Sequence, residues 1–259
     1  MRWVLVPEKR IKLIICRLYT KRTFKSKFCS LGLFWTFSDD FGRIKNMIIT
    51  YYGMSCFKVA LGDRVLAFNP PSKDSKFKTP RFGAEIVLSS LNHPDYNGYE
   101  SLTDEAKDTL HIYGPGEYEA GGIFIKGVGV AENIFGQEKH NSVYSVIFDD
   151  INLCHLGALS SKELSADAKE AIGAVDILFV PITGGDLLTP SDATKMASVL
   201  EAKIVIPISH TITGEDSKSL SLFLKEIGQE SVKPLDKLTI KKKDLEGQEG
   251  SVVVLTPIF

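Results

Sequence analysis

From Met47 onward, the order of the apolar runs restricts this chain to few architectures. Short β-rich runs come first, at residues 47–52, 55–61 and 64–68, with Gly62-Asp63 turning the last two into a hairpin. A compact apolar run at 84–88 reads as a buried strand, and 111–113 as another. Gly114-Pro115-Gly116-Glu117-Tyr118-Glu119 reads as a turn leading into a strand at 122–130, and 104–110 as a short helix. Runs at 143–148 and 151–156, joined at Asp149-Asp150, form a second hairpin. Strand and helix then alternate. Ser165 caps a helix ending at Gly173, and 175–180 is a strand. Thr189-Pro190-Ser191-Asp192 is a capping box with proline in the first turn of a helix running to about 202. A strand at 203–208, a helix at 217–227 closed by Gly228, and late strands at 238–240 and 252–255 complete the chain. Strands first and alternation afterwards predict two sheets with helices outside, a four-layer αββα sandwich of the α/β (α+β) class.

Charge divides the chain. Residues 1–46 hold 11 Lys/Arg against 3 Asp/Glu, whereas 47–259 hold 20 against 29. The basic stretch 1–46 is therefore set apart from the folded domain at 47–259 as an extension. It lacks the uninterrupted apolar core of a signal peptide, because Lys9, Arg10, Lys12 and Arg17 interrupt it. Two readings of it stand: a basic surface-seeking segment, or sequence that precedes a natural start at Met47, the latter preferred. No apolar run approaches the roughly 18 residues of a membrane span, so no membrane role is expected for 47–259. The acidic balance of that domain argues against nucleic acid as a partner. The four cysteines form no CxxC pair. Cys56 and Cys154 lie among apolar residues and read as buried free thiols, which fits a reducing, cytoplasmic compartment.

The stretch most able to carry chemistry follows the strand at 84–88: Ser89-Ser90-Leu91-Asn92-His93-Pro94-Asp95-Tyr96-Asn97. A His and an Asp two residues apart at a strand's end are placed as metal ligands or catalytic groups often are. Their neighbours Leu91 and Tyr96 are poor ligands. His93 has two readings, a metal ligand or a loop histidine hydrogen-bonded to Asp95 or to backbone.

Several segments from Met47 to the end carry a resemblance. They are Ile48-Ile49-Thr50-Tyr51-Tyr52-Gly53-Met54-Ser55-Cys56-Phe57, the Gly114 to Glu119 turn, Cys154-His155-Leu156-Gly157, Asp176-Ile177-Leu178-Phe179-Val180-Pro181 and Val205-Ile206-Pro207. Together they resemble the metallo-β-lactamase-fold hydrolases, and look most similar to small bacterial Zn-dependent hydrolases of the ascorbate-6-phosphate-lactonase kind. The family's start coincides with Met47. The resemblance implies a loop of the form Thr-His-x-His-x-Asp-His, a later His, a bridging Asp and a final His, which hold two zinc ions and activate a water. Laid on this sequence, the loop positions fall at Leu91, His93, Asp95 and Tyr96. The later His falls at Glu132, the bridging Asp at Ala158 and the final His at Ser209. Two of the seven, His93 and Asp95, match. Leu91 and Ala158 donate nothing, so the dinuclear site is read as lost.

The leading expectation is therefore a pseudoenzyme that binds no cofactor and acts on an unidentified small molecule or protein as a binding or scaffold component. The alternative is a hydrolase of an ester, lactone or phosphoester. It would use one zinc or manganese held by His93 and Asp95, with Glu132 and His210 as further ligands and Asp95 as the catalytic group. His210 next to Ser209 would face away if the strand continued, since neighbours alternate faces. His155 is expected to pack or hydrogen-bond a loop, and His111 and His140 to sit at surfaces or strand ends. Thr183-Gly184-Gly185-Asp186 lacks the Lys-Ser/Thr of a phosphate loop and reads as a turn. Lys241-Lys242-Lys243 reads as a solvated strand end. No Gly-x-Ser-x-Gly elbow is present, and no spacing supports Cys56 and His93 as nucleophile and base.

Overall fold

A computed structural model describes residues 46–102, 109–134, 136–209 and 216–258. Residues 1–45 of the basic stretch, most of the helix expected at 104–110, and His210 lie outside the described residues.

The described residues open as an antiparallel meander, β1 (Met47–Tyr51), β2 (Phe57–Leu61) and β3 (Arg64–Phe68). Alternation of buried and half-buried side chains along β1 and β2 shows why: one face is apolar and packs inward. Two short strands, β4 (Ile86–Leu88) and β5 (Leu110–Ile112), add in parallel to β3. The second sheet begins with β6 (Gly116–Ala120), β7 (Ile123–Ile134), β8 (Gln137–Phe148) and β9 (Ile151–His155), all antiparallel neighbours. Helix α1 (Ala166–Ile172), strand β10 (Ile177–Pro181), helix α2 (Pro190–Val199), strand β11 (Ile204–Ile208) and helix α3 (Asp216–Glu226) follow. The late strand β12 (Leu238–Ile240) returns to β1 in the first sheet, while β13 (Ser251–Val252) pairs with β11 in the second. The strand orders are β12-β1-β2-β3-β4-β5 and β13-β11-β10-β9-β8-β7-β6.

Between the sheets lies the larger core, built from Ile49, Phe57, Val59, Phe68 and Ile86 of the first and Tyr144, Val146, Leu153, Phe179 and Ile206 of the second. A second apolar layer joins the outer face of the second sheet to α1, α2 and α3 through residues such as Leu178, Ala193, Met196 and Phe223. Strands β10 and β11 are buried at every position, which is why they read as unbroken apolar runs. The outer face of the first sheet is covered differently. There Ala67, Ala84, Val87 and Leu102 pack beneath Phe82 and the 3-10 turn Tyr99–Leu102, with no α-helix over them among the described residues. No helix of the described residues is long and apolar enough to cross a membrane.

The helix starts follow the capping residues. Ser165 accepts the Ala168 amide and Thr189 accepts the Asp192 amide at 3.2 Å. Helix α2 stops at Val199 rather than near 202, because Leu200 closes it and Glu201 takes φ +47°. Gly116 to Glu119, expected as a turn, is part of β6, an edge strand with mostly exposed side chains. The lysine run follows β12, with Lys241 half-buried and Lys242 and Lys243 exposed as a solvated strand end would have them, but Lys242 is also paired. A 3-10 turn, Lys242–Leu245, places the Lys242 ammonium 2.6 Å from buried Asp176, which also takes Lys203 at 2.8 Å and the Asn152 amide at 2.9 Å. Burial opposes ionisation of Asp176, yet these donors outweigh it and hold its carboxyl below the usual carboxylate range.

Candidate functional site

Loops at the carboxyl ends of β4, β9 and β11 meet at one edge of the sandwich, together with the far end of the β7–β8 hairpin. The residues found there are mostly not ligands. Leu91, Tyr96 and Ala158 pack against one another and against Ile134 and Leu187, with Met54 beside them. Leu91 is 2% exposed, and Tyr96 and Ala158 are 0% exposed. Ser209 joins this group through its backbone: its amide donates to the Met54 carbonyl at 2.6 Å, and its carbonyl accepts the Thr183 hydroxyl. It holds a left-handed φ of +58°. The hydroxyls of Tyr96 and Ser209 are both buried without a hydrogen-bond partner among the described residues. Ser209 lies close enough to act on the phenol without completing a bond, but burial dominates and pushes the Tyr96 hydroxyl well above its ordinary pKa.

His93 and Asp95 stay together beside this cluster. The Asp95 amide donates to His93 Nδ1 at 3.3 Å, and Asp95 Oδ2 lies 3.6 Å from the same nitrogen. Ser75 donates to Asp95 Oδ1 at 2.6 Å. Burial lowers the His93 pKa, with Lys139 and Lys76 adding to the effect and Asp95 opposing it. The neutral ring thus accepts at Nδ1 and carries its proton on Nε2. Glu132 is buried and its carboxylate is occupied: Ser160 Oγ donates to one oxygen and the Ser161 amide to the other at 3.3 Å. Among the described residues no three His, Cys, Asp or Glu side chains come together closely enough to hold a metal ion. The donor set does not fit a pair of zinc ions: two of the seven positions are aliphatic, one is a protonated phenol, and one carboxylate is held by serines.

Below the cluster runs a buried polar chain that sequence reasoning passed over. Asn69 donates to Ser55 Oγ at 3.1 Å and accepts the Ser90 amide at 2.7 Å. Asn141 donates to the Leu156 carbonyl and accepts the Ala158 amide, each at 2.9 Å. These bonds fix the two loops that carry Leu91 and Ala158. The available signal was Asn69 at the end of the apolar run 65–68, whereas Asn141 lies in a polar stretch of the sequence and gave none.

His155 behaves as expected of a packing residue. Its ring stacks on Phe68 at 4.8 Å and Phe179 at 5.3 Å, and Nδ1 accepts the Gly157 amide at 3.0 Å. Burial drives its pKa down to about 3, slightly opposed by the Ser55 backbone. The unfolded chain takes up this proton near pH 6.5 while the native state refuses it until about pH 3. The stabilisation is therefore intact above pH 6.5 and is lost progressively as pH falls toward 3. At pH 5 the loss is about 2 kcal/mol. Denaturant unfolding at pH 7 and pH 5 should show this loss in the unaltered chain and about that much less in His155→Gln. Equal pH dependence in the two would assign the effect elsewhere, for example to His111. That ring, lowered by burial to about 4, is half buried against Tyr99 at 3.9 Å and bonds Ser89 rather than lying at the surface. His140 is exposed on β8.

Residues 48–209 match the family described as beta-lactamase superfamily domain. The chain belongs to that family. Among solved structures it is similar to a protein from Thermotoga maritima described as a Zn-dependent hydrolase of the metallo-β-lactamase superfamily. That likeness has 27% identity and a TM-score of 0.67, and covers 82% of this chain and 100% of the other. The metallo hydrolase Igni18 from Ignicoccus hospitalis shares 17% identity with a TM-score of 0.53, over 76% of this chain and 99% of its own. The metallo-β-lactamase fold protein YhfI from Bacillus subtilis shares 11% identity with a TM-score of 0.54, over 83% and 98%. The last two speak for the fold alone. No curated protein matches the chain.

Proposed function

We propose that this chain is a non-catalytic member of the metallo-β-lactamase fold, a binding or scaffold protein of the reducing cytoplasm. The observation that carries this reading is the packing of Leu91, Tyr96 and Ala158 into one buried apolar cluster. In a working site these positions would face metal and water, whereas Leu91 and Ala158 have no side-chain donor atom and Tyr96 presents a buried, protonated phenol rather than an imidazole. Neither His93, bonded through Nδ1 to the Asp95 amide, nor Glu132, bonded to Ser160 and Ser161, has been recruited into a replacement set among the described residues. The buried free thiols Cys56 and Cys154 fit a reducing compartment.

Metal analysis tests the proposal. Protein purified without chelator, then measured by elemental mass spectrometry, should contain well below one equivalent of zinc, manganese or iron per chain. Two tightly held equivalents would end the proposal. One equivalent, lost on mutation of His93 or Asp95, would favour instead the alternative of a mononuclear hydrolase acting on an ester, lactone or phosphoester.

A further inference from the structure

A separate groove lies across the loop that links β3 to β4. It has a volume of about 1010 Å³, and its wall carries Lys73, Lys78 and Arg81 together with Tyr52, Glu100 and Ile258. None of the seven metal-ligand positions lines it. The three cations are exposed, and none makes an ion pair with a described residue. Among the described residues that line the groove they outnumber the carboxylates three to one, Glu100 being the one carboxylate, on a domain whose residues 47–259 hold 29 Asp/Glu against 20 Lys/Arg. Clustering positive charge against that background creates a local field attractive to anions.

The other groups in the groove complement the cations. Thr79 donates to the Ser72 carbonyl at 3.2 Å and Ser101 to the Gly98 carbonyl at 2.6 Å, so their protons are committed and the lysines and arginine are the available donors. Tyr52 adds a phenol that burial keeps protonated, and its ring packs on Phe82 at 4.8 Å. Ile258 is 46% exposed at the same wall and offers apolar surface. The volume far exceeds a lone inorganic ion and suits a small organic molecule. A planar guanidinium beside two ammonium groups matches phosphate oxygens better than a single carboxylate.

We propose that this groove binds a small phosphorylated molecule, a phosphate ester or diphosphate, with the phosphate at Lys73, Lys78 and Arg81 and the organic part against Tyr52 and Ile258. This goes beyond the non-catalytic reading and stands whether or not the edge site holds a metal. The groove also has a route to that edge. Within the same loop the Ser72 amide donates to the Pro94 carbonyl at 2.7 Å, and Ser75 holds Asp95 at 2.6 Å. Gly98 lies so close that a Cβ there would meet the Pro71 carbonyl oxygen at 2.3 Å. A ligand held by residues 73–81 therefore sits on the same loop that supports Asp95 through Ser75.

The test is calorimetric titration of the full chain with inorganic pyrophosphate and, separately, with phenyl phosphate, at an ionic strength held constant with sodium chloride. Saturable binding of either is expected, weakened at least tenfold by Lys78→Glu with Arg81→Glu and several-fold by the milder Lys78→Gln with Arg81→Gln. Lys225→Glu, on the last turn of α3, should leave it unchanged. Each variant is checked for an unchanged melting temperature, and the Gln pair keeps the test valid if the Glu pair fails to fold. Absence of saturable binding to both probes overturns the proposal, as does equal weakening by Lys225→Glu. Tight binding of duplex DNA with none of pyrophosphate or phenyl phosphate would overturn it too, in favour of a polyanion surface.

Discussion

A variant with Leu91→His, Tyr96→His, Glu132→His, Ala158→Asp and Ser209→His should bind zinc where the unaltered chain does not. Asn69 and Asn141 already fix the loops that carry Leu91 and Ala158, strand β7 carries Glu132, and Met54 and Thr183 hold the backbone of Ser209, so the new ligands would not have to order the backbone. The same changes dismantle the apolar cluster of Leu91, Tyr96 and Ala158, so the metal-free variant should lose roughly 3 kcal/mol or more. Zinc at about a hundred times its dissociation constant should return about 2.7 kcal/mol of that. Melting temperature against zinc concentration is the readout: a rise with zinc in the variant, none in the parent. A variant that folds yet shows no zinc-dependent rise would mean that the positions do not converge as the family's ligands do.

The second large effect is expected at Gly157. Its φ of +63° suits glycine, and a Cβ there would lie 2.4 Å from Asn141 Oδ1 and 2.6 Å from Ser90 Oγ. Asn141 cannot yield without releasing its bonds to Ala158 and Leu156, and Ser90 is held through its backbone by Asn69 and Ser142, although its hydroxyl has no partner among the described residues. Gly157→Ala should therefore cost about 3 kcal/mol, combining left-handed strain with overpacking. Adding Ser90→Gly or Asn141→Gly would relieve the contact but expose other buried groups, so neither should recover full stability. Urea unfolding midpoints measure all of these, and a loss under 1 kcal/mol for Gly157→Ala would show that the loop shifts freely.

Much of the architecture was legible because each local signal agreed with burial. The alternation in β1 and β2, the unbroken apolar runs of β10 and β11, and the Ser165 and Thr189 caps each had one physical reading. The failures occurred where ladder pairing, not side-chain pattern, makes the strand. Strand β6 is an edge with Glu117 and Glu119 turned outward, so it looked like a turn. The outer halves of β7 and β8, from Ala131 to Ile134 and from Gln137 to His140, are largely polar and are held by their mutual register. The ion pair of exposed Lys242 was not legible because its partner Asp176 is 66 residues away. At the edge site, the resemblance to the family's motif singled out Leu91, Tyr96 and Ala158, which the fold packs together. Ile134 and Leu187, which fill the space around them, come from distant segments and carry no motif, so only the fold brings them in.

The two core cysteines turn this sandwich into its own stopwatch. Cys56 and Cys154 are at most 1% exposed, and burial pushes the thiol of Cys154 up to about 12 and that of Cys56 higher still. Only a thiolate attacks a disulfide or an alkylating reagent, so neither sulfur reacts in the closed state. Cys154 sits on β9 and Cys56 just ahead of β2, in opposite sheets. Labelling rates at these two positions, followed by peptide mass spectrometry, should therefore count openings of each sheet separately and become independent of reagent concentration once the reagent outpaces reclosing.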